Sequence, residues 1–475
     1  MAQRMLLVCW TGLSLAWLSA DRLIRDGDEE GHVGAAELFM GDLSQGVPLD
    51  FLERLWVGPM GEYPQAFAAL VGGWWWAMGE GLPGRTSIRA ICLASLLIAA
   101  LATARVATRY MPEEERRTGG LIALGTVLSL PLANGLTRHF MPEGLLMATL
   151  AISVLAAQRW VERPSPGRAA WLGAAIAAGL MTKQTFVLLA VPPLAFLTLG
   201  QLRHHWKSAC VAAAVTLCLA GPWWFSGAEA QIAYATASSA GHGAGGLLDH
   251  LIYYPAILST VGFGPPLSLL GLWATWHLVR TSTPQTRRGV LLVGLWLLGG
   301  LLILTLIPKK YPRLMAPLTP SIGIIFAMLW ARHQPHRRII TAGLLLGAAW
   351  TIYTSTSAAP LLSRNAAIDP GCPQQWLRAP SQNDLGLSAV AKDLAQLPAG
   401  DVSMSEDIPI PCTIQTTHDW SQHLGPYLRR SGNDREVQVA SEPAHRIIIR
   451  VSSADGGIPV EGTGKSLHIR DRLRP

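Results

Sequence analysis

Ionisable side chains are scarce along the apolar stretches of this chain, and four groups of them outside its short basic loops invite a chemical reading. An acidic run, Asp26, Asp28, Glu29, Glu30 and His32, follows the first apolar segment. Arg138 and Glu143 stand in TRHFMPEG, and Lys183 stands in LMTKQT between two apolar segments. Lys309, Lys310 and Arg313 lie in IPKKYPRLMAP. A carboxylate can take the proton of an attacking hydroxyl, and lysine or arginine can neutralise charge developing on a phosphate. Transfer of a sugar from a lipid phosphate needs just these groups: the phosphate leaves as an anion, so no general acid is required. Each group alone also has a structural reading, as a solvated acidic loop or a collar of snorkelling lysines. Their convergence on one membrane face favours a site for an anionic substrate.

The elements that must position them follow from composition. Of 475 residues, 50% are hydrophobic and only 15% charged, too little charge to cover a soluble protein of this length. The apolar residues run in stretches of about 20, the thickness of a bilayer core. A polytopic α-helical membrane protein is the class that satisfies the backbone there. The net charge of +7 comes largely from arginines at the ends of apolar runs, without the aromatic-interleaved patches that stack bases, so nucleic acid is not an expected partner. No CxxC or Cys/His spacing of a zinc site occurs, and the metal expectation from spacing is none.

Orientation comes from five arginine-rich loops, around residues 105–117, 159–168, 203–207, 280–288 and 332–338. Successive loops are separated by enough apolar sequence for two crossings. All five then share one side, which the positive-inside rule makes the cytoplasm. About eleven crossings result, from 5–20 through 119–137, 256–279, 289–307 and 313–330 to 339–357, in a plasma (inner) membrane with the C-terminus extracytoplasmic. Met5–Ala20 also has the make-up of a cleaved signal peptide, and either reading leaves Asp21 outside. Residues 64–80, with three consecutive tryptophans, suit a helix lying in the interface, so 21–86 reads as one external loop. Residues 226–255 read as a second, flexible one. The expected domains are 1–357 in the membrane and 358–475 as a small extracytoplasmic α/β domain, with strands near 402–404 and 446–451 and helices near 387–397 and 419–430. Cys372 and Cys412 lie in that tail, as a pair or as two free thiols.

Five short motifs then carry a resemblance. The acidic pair Asp28-Glu29 after a first span, with Tyr63-Pro64 leading an aromatic stretch, resembles the opening of the GT-C glycosyltransferases. Protein O-mannosyltransferases and lipid A aminoarabinose transferases are branches of that superfamily. Arg138 to Glu143 resembles its "R…PD" motif, Leu180 to Lys183 its "LTKG", Pro222-Trp223-Trp224 its "PWY", and Pro308 to Pro317 its "K.PRY..P". The order matches over about residues 1–330.

The resemblance implies a polyprenyl-phosphate-sugar donor, an extracytoplasmic acceptor (lipid, glycan or protein) and inversion at the anomeric carbon. Carried over by position, Asp28 is the catalytic base, beside Glu29, with His32 one helical turn away. Glu143 stands where the family has aspartate. Lys183, Lys309 and Arg313 hold the donor phosphate, and Tyr63, Arg138 and Lys310 complete the binding set. Family members differ over a divalent metal ion beside the carboxylates, so no cofactor is certain and that ion stays open. The alternatives are a transporter or flippase of lipid-linked sugars, and a polysaccharide ligase or polymerase using the same donor class. A ligand sensor anchored by its bundle is a third, though an anchor has no need of clustered carboxylates and lysines.

Overall fold

The computed structural model describes residues 2–20, 27–57, 64–79, 84–138, 140–240, 247–281, 283–307 and 311–356, and the strand segments 402–404, 437–439, 447–452, 458–460 and 465–471. Helices dominate: α1 (Ala2–Ala20), α2 (Gly27–Ser44), α3 (Pro48–Val57), α4 (Ala66–Met78), α5 (Gly84–Ala107), α6 (Arg116–Leu128), α7 (Pro131–Leu136), α8 (Glu143–Glu162) and α9 (Pro166–Leu180). They continue as α10 (Thr185–Ser226), α11 (Ala228–Ala240), α12 (Leu247–Ile257), α13 (Pro265–Thr281), α14 (Pro284–Gly294), α15 (Gly300–Leu306), α16 (Ile322–Arg332) and α17 (Arg337–Thr356). Several begin as their sequences demand. Ser165 and Thr283 cap α9 and α14 by accepting the backbone N–H of Arg168 and Thr286, each just ahead of a proline that suits the first helical position.

Six helical stretches are long and apolar enough to cross a bilayer, and the bent pair 251–262 and 265–281 would make a seventh. One of the six, α10, has 42 residues, about 63 Å if straight and roughly twice a bilayer core. It does not run straight. His205 leaves the helical region at φ −127°, ψ 32°. Phe186 at one end abuts Gly179, while Ala220 and Trp223 at the other cluster with Ala177 and Met181. Both ends therefore return to the end of α9, and the chain reverses near His205.

The arginine-rich loops meet on one face of the bundle. Arg109 pairs with Glu162 and Arg337 with Glu115. Trp160 donates to Ser208 at 3.0 Å, and Thr281 bonds His333 at 3.0 Å. Helices α8, α9 and the segment 312–332 each link that face to the opposite one, where Glu143, Lys183 and Arg313 lie.

Three expected crossings take a different form. The run 119–137 is split, because Pro131 ends α6's continuation and starts α7. The run 256–279 bends by 113° between residues 262 and 265, where Gly264 has φ +75° ahead of Pro265. A residue before proline avoids the α region, and the left-handed φ suits glycine alone. The run 313–330 opens as a buried 3-10 helix, Pro312–Ser321, whose prolines Pro317 and Pro320 lack the N–H an α-helix needs. The stretch 226–255, expected as a loop, holds α11 and α12.

Helix α4 has 13 residues, about 20 Å and too short for a bilayer core. It packs on α2 at Gly72, where an added Cβ would lie 2.6 Å from the Ala36 carbonyl. Arg54 forks onto Asp42 at 2.7 and 3.0 Å and ties α3 to α2. In the C-terminal part, β1 (Val402–Met404), β2 (Val437–Val439), β3 (Ile447–Ser452), β4 (Ile458–Val460) and β5 (Lys465–Asp471) form one mixed sheet, order β2-β1-β3-β5-β4. β1 is parallel to β2 and β3, while β5 is antiparallel to β3 and β4. The expected helices 387–397 and 419–430, with Cys372 and Cys412, lie outside the described residues.

Candidate active site

Three elements bring their ends together on the face opposite the arginine loops. Glu143 is the first residue of α8, where Pro142 precedes it and the free N–H groups of a helix start favour a negative charge. It is fully buried. Lys183 follows the Met181–Thr182 turn that separates α9 from α10, and its Nζ donates to Glu143 Oε1 at 2.7 Å. Arg313, held by the 3-10 helix, has its Nε 3.5 Å from the same oxygen. Trp296 Nε1 donates to the Pro317 carbonyl at 3.1 Å and pins that helix. Lys183 and Arg313 are 5% and 7% exposed, so one buried carboxylate gathers two buried cations.

Such a triad costs several kcal/mol per ion in desolvation and rarely maximises stability. It does aim charge. Glu143 Oε2 accepts no hydrogen bond among the described residues, and the three groups together carry a formal charge of +1. An ordered positive centre of this kind, at the mouth of three helices, can receive a phosphate without reorganising.

Helices α2 and α4 form the neighbouring wall. His32 meets Phe67 edge-on with centroids 5.6 Å apart, and Phe67 lies 5.0 Å from Phe140, just before α8. Ala66 N–H donates to the Met181 carbonyl at 2.9 Å, next to the Lys183 turn. Arg138, buried in the turn that leads to α8, lies over Trp17 of α1 at 4.4 Å. Asn134 organises that turn: it donates to the Leu128 and Leu130 carbonyls at 2.6 and 2.9 Å and accepts from Trp10 at 2.8 Å.

Two solved structures with a similar arrangement of helices are of ArnT from Cupriavidus metallidurans. ArnT from Cupriavidus metallidurans in the apo state superposes with TM-score 0.58 at 14% identity, covering 94% of this chain and 93% of that one. The chain shares the fold of ArnT. ArnT from the same organism bound to undecaprenyl phosphate gives TM-score 0.54 at 16% identity, over 74% of this chain and 65% of that one. The profile of the dolichyl-phosphate-mannose-protein mannosyltransferase family matches residues 68–224, from within α4 to near the end of α10. A search of curated proteins gives no match.

Within this bundle the sequence-predicted residues fall into three groups. Glu143, Lys183 and Arg313 are in contact. His32 and Arg138 lie at the same end, joined to it through Phe67 and Phe140 and through the turn before α8. Asp28 and Glu29 belong to the first turn of α2, one turn ahead of His32, but their side chains lie outside the described ones, as do residues Tyr63, Lys309 and Lys310 altogether. Sequence reasoning passed over Arg89, buried near the start of α5 and two residues from Ile91 of the Phe67–Phe140 cluster. Its signal was an arginine, with Arg85 one turn before it, at the end of an apolar run away from the basic loops.

Proposed function

We propose that this protein moves a sugar from a polyprenyl-phosphate donor to an extracytoplasmic acceptor, with inversion. The observation that carries the reading is the buried Glu143–Lys183–Arg313 triad at the helix ends opposite the arginine-rich loops. The positive-inside rule puts those loops in the cytoplasm. With α10 counted as two passes, the six long stretches and the bent pair make eight crossings, and α1, α6–α7 and α9 bring the reading to eleven across the plasma membrane, with the triad at outer headgroup depth. In this reading residues 1–357 are the catalytic domain, 21–86 an external segment along the interface, and 358–475 an extracytoplasmic α/β domain.

Asp28 takes the proton of the acceptor hydroxyl as the oxygen attacks the anomeric carbon from the face opposite the phosphate. The bond between that carbon and the phosphate oxygen breaks, and its electron pair leaves on the polyprenyl phosphate. Lys183, Arg313, Lys309 and Lys310 stabilise that anion. Glu143 is a positioning residue that holds Lys183 and Arg313 on one point, while Glu29, His32, Tyr63 and Arg138 line the pocket. A transporter places its binding groups near the midplane, at broken helices of repeated halves, whereas these charges sit at one face.

The test is Asp28→Asn. The variant should insert and run on gel filtration like the wild type while losing transfer from a polyprenyl-phosphate sugar in proteoliposomes. Unchanged turnover would remove the base assignment.

A further inference from the structure

At the arginine-rich end, far from the triad, three histidines from separate stretches of sequence come together. His277 is on the last turn of α13, and His333 and His336 flank Pro335 in the turn between α16 and α17. One ring nitrogen from each can be chosen so that all three lie within 4.8 Å of one another. The ring centroids of His277 lie 4.2 Å from His333 and 4.8 Å from His336. The scan for metal spacings missed the trio because only His333-x-x-His336 is local.

We propose that His277, His333 and His336 bind one divalent cation of the zinc class, clipping α13 to the α16–α17 turn. Two observations beyond proximity point to a ligand. His277 Nε2 is buried and has no hydrogen-bond partner among the described residues, an arrangement that burial normally excludes. His333 is orientated as a ligand would be. Thr281 Oγ1 donates its single proton to the His277 carbonyl at 2.9 Å, so at 3.0 Å it must accept from His333 Nε2–H. That bond fixes the tautomer and leaves the His333 Nδ1 lone pair for the metal, as an outer-shell partner does in metal sites. Trp273 closes one side, stacked on His277 at 5.8 Å and edge-on to His336 at 5.2 Å.

Zinc–imidazole bonds of about 2.0–2.1 Å space the nitrogens about 3.3 Å apart in a tetrahedron. The present spacing closes to that by small ring rotations, with water as the fourth ligand. An all-imidazole donor set selects zinc, cobalt or nickel over magnesium or calcium. Nearby positive charge sets the strength. Arg280 lies over Trp276 at 4.2 Å, Arg332 adjoins His333, and Arg337 is paired with Glu115. Repulsion from Arg280 and Arg332 makes the site weaker than closed structural ones.

The test uses the full-length protein in detergent, with any polyhistidine tag removed and after chelation and dialysis. Cobalt(II) titration should give one equivalent bound, with the visible absorption of a four-coordinate nitrogen-rich site. Zinc in 100-fold excess over its dissociation constant should raise the unfolding temperature and displace the cobalt. His333→Ala and His336→Ala should each weaken binding at least 30-fold without changing the gel-filtration profile. Thr281→Val, which keeps the fold but releases the His333 tautomer, should weaken binding 10-fold or more, the effect of losing an outer-shell partner. His205→Ala, outside the cluster, should leave binding intact. Absence of a one-equivalent site, or one that survives His333→Ala and His336→Ala, overturns the proposal. Sugar transfer plays no part in the readout.

Discussion

The coupling between Glu143 and Lys183 can be isolated by a double-mutant cycle. At an effective dielectric constant near 20, separations of 2.7 and 3.5 Å give gross attractions of about 6 and 5 kcal/mol for Glu143 with Lys183 and with Arg313. Desolvation of the three buried ions cancels most of that, so the intact triad contributes little to stability. Removing one member is different. Glu143→Gln leaves two buried cations facing each other and should cost about 3–5 kcal/mol. Lys183→Met leaves the carboxylate with Arg313 alone and should cost about 3 kcal/mol. In the double variant no carboxylate is left short of a cation, and only Arg313 remains charged. The cost of the double variant should therefore fall below the sum of the singles by about 2–3 kcal/mol. Equilibrium unfolding by steric trapping in bicelles measures all four corners of the cycle. Additivity within about 0.5 kcal/mol would mean that the two side chains do not share a buried ion pair, and the positioning role given to Glu143 would fall with it.

Two further outcomes follow from the same geometry. Lys183→Ala should weaken the binding of a polyprenyl-phosphate donor by about 1.5–3 kcal/mol, the range for a hydrogen bond to a charged group, or roughly 10- to 150-fold. Microscale titration with donor lipid in nanodiscs reads this directly, and an unaltered affinity would leave the lysine a structural partner of Glu143 only. Gly72→Ala drives a Cβ to 2.6 Å from both the Ala36 carbonyl and Phe39 Cβ. It should force α4 off α2 at about 1–3 kcal/mol and lower transfer by shifting the wall that carries His32. Normal turnover and stability in that variant would show that the two helices are free to separate.

Much of the architecture was legible because membrane insertion is governed by one-dimensional rules. The five basic loops lie on one face, as the contacts of Arg109 with Glu162, Arg337 with Glu115, Trp160 with Ser208 and Thr281 with His333 require. Strands near 402–404 and 446–451 stood out by their alternation and form β1 and β3. The ends of Glu143, Lys183 and Arg313 were also predictable, but their ion pairs were not, since nothing local says which buried charges will meet. The 226–255 stretch shows the converse limit. Lack of lysine and arginine reported its side, not its backbone, and it is helical on both flanks of the glycine-rich 241–246, which lies outside the described residues. The bend at residues 262–265 was written in Gly264-Pro265-Pro266, yet hydropathy averages across such a break. The histidine trio left no linear signal, because α13 reaches the α16–α17 turn only through the packing of the folded bundle.

The proline-rich helix Pro312–Ser321 also sets a length. Ten residues wound as a 3-10 helix rise about 20 Å, where an α-helix of the same residues would rise about 15 Å. The tighter winding therefore extends the segment by about 5 Å, nearly one α-helical turn. Since α16 contributes only 11 residues, that extension is what lifts the Arg313 guanidinium to the level of the Glu143 carboxylate. Pro317 and Pro320 thus serve as a molecular ruler: relaxing the segment to ordinary helix would withdraw the arginine by more than its present 3.5 Å separation from Glu143.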